Sequence, residues 1–388
     1  MKKSLLAMAA MGAFAGAAQA QSSVTVYGVV DAGVGASSIT SAAGGANTTK
    51  QNFIGGLSSA NGTGQEAGSR LGFRGVEDVG GGTVVGFTYE VAINLNNAQS
   101  STTAPVATDN QSGNTAMFGN ARQAFASLGN KQFGELRIGT QDSLAKNIGG
   151  FYDPTKEAIT TGATSLYQQG TVVRYSQAAT YQAPVMAGVT LRAQYAGDAT
   201  TYGNVGTTNV PTTNNVWSLS AKYDNGPLSV GAAYESRLGA YVAAGTASSA
   251  TALNPNMTTA TTYSSINQTL IGAQYNLGPV TPMVQYYTQK WNNNSSSLTG
   301  GINGIQIGAT APITPVVSVV ASYVTGKVTS NNADLYNTAG LQGQINYALS
   351  KRSRLYAIYG QTNWNTEQSG TTANVKVQQY GVGMLHTF

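Results

Sequence analysis

From Thr83 to Leu95 apolar and polar positions alternate strictly. Val85, Phe87, Tyr89, Val91, Ile93 and Leu95 share one face of an extended strand, and Gly86, Thr88, Glu90, Ala92 and Asn94 share the other. The same period of two recurs in segments at about 23–34, 66–76, 83–96, 118–129, 132–141, 170–183, 188–197, 214–224, 227–238, 266–277, 279–291, 301–312, 314–326, 337–349, 352–363 and 375–388. That makes sixteen strands, an even number that returns both chain ends to one side of a closed ring. The connections alternate in kind. Val76–Gly80, Gly129–Lys131, Asp224–Gly226, Gly278–Pro279 and Ser350–Lys351 are tight-turn signals, whereas 35–65, 97–117, 142–169, 198–213 and 239–262 are long and rich in Asn, Thr, Ser, Ala and Gly. Short turns at one end and long loops at the other predict an all-β, transmembrane antiparallel 16-stranded β-barrel.

Several segments sort their side chains cleanly. Trp217, Leu219, Ala221 and Tyr223 oppose Ser218, Ser220 and Lys222; Leu228, Val230, Ala232 and Tyr234 oppose Ser229, Gly231 and Glu235; Leu341, Ile345, Tyr347 and Leu349 oppose Gln342, Gln344 and Asn346. The first set of each pair belongs against lipid and the second in a wet lumen. An unpaired strand edge in a bilayer would leave backbone donors and acceptors without partners, so the first strand, near Tyr27, is expected to pair with the last, near Tyr380. Tyr195, Tyr223 and Tyr347, near strand ends, suit interfacial girdles. The segments Pro282–Trp291 and Val316–Val324 do not sort, and the pattern assigns them no faces.

Composition narrows the class. Charged residues are only 9%, against roughly a quarter in soluble proteins, while glycine numbers 48 and tyrosine outnumbers phenylalanine 21 to 9. The chain starts with Lys2 and Lys3, an apolar stretch from Leu5 to Ala18, and the small-residue site Ala18-Gln19-Ala20. These features predict a signal peptide over 1–20 that is removed after Ala20, leaving one barrel domain over 21–388. No later stretch approaches the roughly 18 apolar residues of a membrane helix, so strands must do the spanning. Without Lys2 and Lys3, 18 basic residues face 15 acidic ones, and the formal charge falls from +5 to +3. That excess is too small and too dispersed to argue for nucleic acid. Cysteine is absent, so neither a disulfide framework nor a thiolate metal site exists.

Arg70, Arg122 and Arg174 each lie on a strand running down into a short turn, roughly eight to ten residues above it. Leu71, Phe73, Phe125, Val173 and Tyr175 take the outward phase beside them, so the three guanidinium groups should project into the lumen at similar heights, with Arg137 and Arg192 inward on the strands next to them. Such a cluster would select ions, because guanidinium stays protonated and the low-dielectric wall confines its field. Alternatively the arginines brace the wall by pairing with Glu90 or Glu135. The connection 142–169 carries Asp142, Lys146, Asp153, Lys156 and Glu157 together with Leu144, Ile148, Phe151, Tyr152, Ile159 and Leu166, enough apolar surface to fold into the barrel and narrow it. An ordinary outward loop is the other reading. His386, the sole histidine, falls on the lipid-facing phase of the last strand, which argues against a catalytic base; no HExxH, phosphate-binding loop or EF-hand spacing occurs. No catalytic residue, cofactor or metal site is expected.

Val24–Gly33, Ser69–Gly82, Arg122–Phe125 with Leu128-Gly129, Phe133–Gly139 and the terminal Gly381–Phe388 resemble Gram-negative general porins of the betaproteobacterial type. The resemblance implies a 16-stranded barrel, a homotrimer packed through the early strands, an inward third loop at 142–169, and a lumenal cluster at Arg70, Arg122 and Arg174. It also implies that Phe388 is the signal read by the barrel-assembly machinery. One departure stands out: ahead of Tyr181 the family usually carries Asn-Ser, and here the pair is Gln177-Ala178.

These features together predict a passive channel for small ions and hydrophilic solutes with modest anion preference. It would sit in the cell outer membrane among lipid and lipopolysaccharide, with Arg70, Arg122, Arg174, Arg137, Glu90, Asp142, Asp153 and Glu157 at the constriction. Saturable conductance would instead indicate a substrate-specific anion or sugar channel, and absence of conductance a surface adhesin with a plugged lumen. A hydrolase is disfavoured by the lone lipid-phase histidine.

Overall fold

The computed structural model describes residues 23–41, 47–55, 65–95, 118–156, 158, 174–197, 201–205, 208–212, 215–238, 241–242, 261–262, 265–292, 299–330, 333–366 and 374–388. In chain order the strands are β1 (Ser23–Ser41), β2 (Asn47–Gly55), β3 (Arg70–Gly80), β4 (Thr83–Ile93), β5 (Phe118–Asn130), β6 (Gly134–Asp142), β7 (Arg174–Gln182), β8 (Val189–Ala196), β9 (Thr201–Val205), β10 (Thr208–Thr212) and β11 (Asn215–Asn225). There follow β12 (Leu228–Leu238), β13 (Tyr241–Val242), β14 (Thr261–Thr262), β15 (Ser265–Tyr275), β16 (Thr281–Asn292), β17 (Gly300–Pro312), β18 (Val317–Ser330), β19 (Ala333–Ala348), β20 (Ser353–Thr366) and β21 (Val375–Thr387). Among the described residues one helix, α1 (Leu144–Tyr152), lies between β6 and β7.

Sixteen strands form the ring, each hydrogen-bonded antiparallel to its neighbours, as the alternation predicts. β2 is added beside β1, while β9–β10 and β13–β14 make separate two-stranded ribbons. The ring closes between β1 and β21, from Val29 opposite Thr387 to Ser41 opposite Val375. Below that ladder, Gly28 and Phe388 exchange two backbone hydrogen bonds of 3.2 Å. Tyr380 therefore faces Ala36 rather than Tyr27. Closure matters because lipid offers no partner to an open edge.

Three boundaries depart from the sequence reading. The expected loop 35–65 is partly wall: Gly33–Ser41 of β1 pairs with β2, prolonging the barrel beyond the stretch where Ser23–Val29 pairs with β3. The expected turn at Val76–Gly80 is strand, and the chain reverses at Gly80, Gly81 and Gly82, all with positive φ. Residues 66–69 are not strand; β3 begins at Arg70.

Faces sort as the period of two requires. Leu341, Ile345 and Tyr347 are exposed on the outer surface while Gln342 and Gln344 are buried inside, and Trp217, Leu219 and Tyr223 oppose a buried Ser218. Tyr195, Tyr223 and Tyr347 point outward near strand ends. The two unsorted segments now have faces. Met283, Gln285, Tyr287, Gln289 and Trp291 of β16, and Val320, Ser322 and Val324 of β18, are buried on the inner side, with Val284, Tyr286 and Tyr323 exposed outside. Their pattern is blurred because here the inner wall is itself apolar: Tyr287, Trp291, Ile302, Val324 and Val328 form one buried cluster with Ile148 and Tyr152 of α1. A strand covered on both faces loses its alternation.

Candidate functional site

The 142–169 connection turns into the barrel as a helix. Ser143, in extended conformation, caps α1 by accepting a 3.1 Å hydrogen bond from Lys146 N, and Leu144, Ala145, Ile148 and Tyr152 recur on one buried stripe. Asp153 stops the helix: it precedes Pro154, takes an extended conformation (ψ 115°), and its N–H donates to Gly149 O at 3.0 Å. Gly149 and Gly150 inside α1 cost about 1 kcal/mol each relative to alanine, so nine residues of this composition hold a helix only because the wall packs against it.

The wall is shaped for that packing. Tyr152 is 0% exposed, and a β-carbon at Gly272 of β15 would collide with Cδ2 of its ring. Its hydroxyl lies 3.0 Å from Ser229 Oγ of β12, and burial pushes its pKa up, so it stays neutral. Past the helix, Asp153 Oδ1 accepts from Thr155 N at 2.9 Å, Thr155 Oγ1 at 2.7 Å and Gln306 Nε2 at 2.9 Å. Gln306 Oε1 in turn accepts from Gln285, and Gln342 Nε2 donates to Ala158 O at 2.8 Å. Asp153, expected at the constriction, is thus fully buried as the joint between this segment and β17. Glu157 lies outside the described residues.

The charges gather in two groups. Glu90 of β4 sits between two arginines, 2.7 Å from Arg122 Nε and 3.8 Å from Arg70 Nε. Asp142, ending β6, lies 3.0 Å from Lys146 Nζ of α1 and 2.9 Å from Arg174 Nε, the latter without hydrogen-bond alignment. Arg70 is near enough to feel both Arg122 and Asp142 electrostatically, so the groups adjoin. Among the described residues, these ion pairs join four cations to two carboxylates. Lower on the wall Arg137 pairs with Glu135 at 2.7 Å, and Arg192 Nε donates to Gln182 Oε1 at 2.8 Å. At the other end of α1, Lys222 Nζ stands 3.9 Å from the Phe151 ring centroid.

Two bulges reverse side chains whose phase the sequence assigned. Glu90 faces Gln123 but Val91 faces Ala121, leaving Arg122 as the extra residue that reaches Glu90. Below it the phase flips, and Phe125, expected outside, points inward beneath the Arg137 guanidinium at 5.5 Å. On β7, at the Gln177-Ala178 departure, Gln177 adopts φ 55° and the register with β6 shifts between Gly139 and Gln141. Tyr175, also expected outside, is therefore buried inside and donates a 2.5 Å hydrogen bond to Glu235 Oε1; Arg174 stands opposite Asp142. Val173 lies outside the described residues.

Sequence reasoning missed a second inward segment, residues 65–69. Gln65 Nε2 and Ser69 Oγ donate to Asp31 O at 2.9 and 3.2 Å, Ala67 N donates to Asp31 Oδ2 at 2.7 Å, and Tyr356 Oη donates to Asp31 Oδ1 at 2.6 Å. Glu66 takes a bidentate pair from Arg354, at 2.8 and 2.6 Å. The available signal was Asp31, the sole charged residue of β1. Also unforeseen is a recess of about 250 Å³ between the inner faces of β4–β8 and the first turns of α1, lined by Arg137, Arg192, Gln123, Thr180, Gln194 and Asn147 among others.

A closed ring of sixteen strands, apolar outside, charged inside and narrowed by a helix docked on its inner wall, is the architecture of an outer-membrane pore-type barrel. A sequence profile of Gram-negative porins matches residues 7–367. The chain belongs to that family. It is 32% identical over 249 residues to an outer membrane porin of Bordetella pertussis, covering 61% of this chain and 59% of that protein. To outer membrane porin protein 32 of Delftia acidovorans it is 36% identical over 139 residues, 36% and 31% of the two chains. The matched part thus spans about three fifths of the Bordetella porin. Among solved structures the anion-selective porin from Comamonas acidovorans superposes with a TM-score of 0.68 at 22% identity, covering 95% of this chain and 100% of that one. OmpT of Vibrio cholerae in its trimer form gives 0.63 at 16% identity, covering 95% and 99%. At these identities the structures establish the fold.

Proposed function

We propose that the chain forms a water-filled channel for passive diffusion of ions and small hydrophilic solutes across the outer membrane, with modest anion preference and no covalent chemistry. One observation carries this reading: among the described residues where α1 narrows the lumen, the cations Arg70, Arg122, Arg174 and Lys146 outnumber the carboxylates paired with them, Glu90 and Asp142. The pairs both brace the wall and leave a net positive field, which the low-dielectric barrel confines to the path of the ion. The Comamonas porin is described as anion-selective, which favours the same preference here.

The remaining parts of the proposal follow from the family. The leader at 1–20 directs export, Phe388 serves as the assembly signal to the barrel-insertion machinery, and three copies associate amid lipid and lipopolysaccharide, as the trimer form of the Vibrio protein suggests. Planar-bilayer reversal potentials in a salt gradient test the selectivity. Anion preference is expected for the intact protein and should fall in Arg70→Gln/Arg122→Gln; cation preference in the intact protein would overturn the reading.

A further inference from the structure

The recess beside α1 has its own chemistry, distinct from the cluster around Glu90. Arg137 stands opposite Ser127 on β5, five residues from Arg122 toward the short-turn end, or roughly 15 Å along the strand. Its Nη2 is taken by Glu135 and its face by Phe125, yet its Nε is buried without a hydrogen-bond partner among the described residues. Arg192, close enough for its charge to repel that of Arg137, makes a single hydrogen bond among the described residues, from Nε to a neutral amide. The other charges at the recess are already engaged: Asp142 holds Lys146 and Arg174, and Glu135 holds Arg137. Around these groups Gln123, Gln194, Asn147 and Thr180 supply neutral polar atoms.

Two like charges side by side, sharing one carboxylate, with a buried guanidinium donor unmatched and a water-accessible volume in front of them, need an anion with acceptor oxygens. Chloride supplies charge without matching a fork, whereas a carboxylate accepts two parallel N–H bonds from guanidinium. We propose that this recess is a binding station for the carboxylate group of a small solute, on the short-turn side of the arginine constriction. Arg192 and Arg137 hold it, and the amide side chains complete its shell. Anions therefore cross in two stages, drawn first by the Arg70–Arg122 cluster and then held at the recess. The station rests on the proposed channel reading and deepens it by naming a solute class.

Conductance of single channels in potassium acetate and potassium chloride, each over a range of concentrations, tests the station. Acetate conductance of the intact protein should saturate at lower concentration than chloride conductance. Arg192→Gln, which loses charge and fork, and Arg192→Lys, which keeps charge and loses the fork, should each raise the acetate half-saturation concentration by about fivefold. That corresponds to roughly 1 kcal/mol, the scale of one guanidinium–carboxylate bond. Acetate conductance that rises linearly in the intact protein, or a half-saturation in Arg192→Lys equal to that of the intact protein, would overturn the station while the chloride currents show the pore open. Absence of chloride current in the intact protein would instead overturn the channel reading, and the station with it.

Discussion

Replacing Tyr152 with alanine separates what holds the constriction from what holds the barrel. The ring is 0% exposed, lies against Gly272, and carries a hydroxyl 3.0 Å from Ser229 Oγ. Truncating a buried aromatic to alanine costs about 3–5 kcal/mol, and the lost hydrogen bond is about 1 kcal/mol of such a figure. Tyr152 belongs to no strand ladder, so the loss falls on the equilibrium between docked and undocked α1 and not on ring closure. At 1.4 kcal/mol per factor of ten, the docked-to-undocked ratio drops roughly a hundredfold to several-thousandfold. Single-channel recordings of Tyr152→Ala should show stepwise current noise with a larger open level, and liposome swelling should admit larger saccharides than the parent admits. Tyr152→Phe, missing only the hydroxyl, should stay nearly quiet. Parental noise together with the parental size limit in Tyr152→Ala would refute the docking argument. Failure of the barrel itself to fold would place Tyr152 in a core that ring closure does require, and would refute that separation.

Glu90→Gln replaces the carboxylate between Arg70 and Arg122 with a neutral amide and leaves one more net positive charge in the lumen; a unit charge about 5 Å from a passing ion in water is worth about 0.8 kcal/mol, so anion preference should rise about fourfold by reversal potential, and a fall would contradict the site. Gly28→Val should impair ring closure, because its β-carbon would collide with the Phe388 ring and stand 2.6 Å from Arg70 O; loss of the compact, heat-modifiable band on detergent gels reads the effect, and normal folding yields would count against it. Docking of α1 should tolerate alkali only so far. The raised Tyr152 pKa means its contribution is fully present below the ordinary tyrosine value of about 10 and fades as pH climbs through the higher, docked-state value, so current noise should grow above that point in the parent and stay flat in Tyr152→Phe.

The alternation of side chains specified most of the barrel. All sixteen ring strands fall on segments that the period of two marked, because a wall with lipid on one side and water on the other imposes that period residue by residue. The pattern failed at β16 and β18, whose inner faces carry apolar side chains of the buried cluster that Ile148 and Tyr152 of α1 join. It also gave no sign of α1 itself, whose two internal glycines suppress local helix propensity and whose stability comes from strands 77 or more residues beyond Tyr152, at Ser229 and Gly272.

The candidate site divides along the same line. Residue types and strand phase were enough to bring Arg70, Arg122 and Glu90 together, since neighbouring strands are in register. Which way Phe125 and Tyr175 point, however, was decided by one-residue bulges at Arg122 and Gln177, since each bulge turns every residue beyond it to the opposite face. The burial of Asp153, the Asp31–Tyr356 joint with residues 65–69, and the recess at Arg137 and Arg192 required the tertiary structure outright. Each unites positions remote in the chain, and a periodicity that acts over two residues carries no information about such meetings.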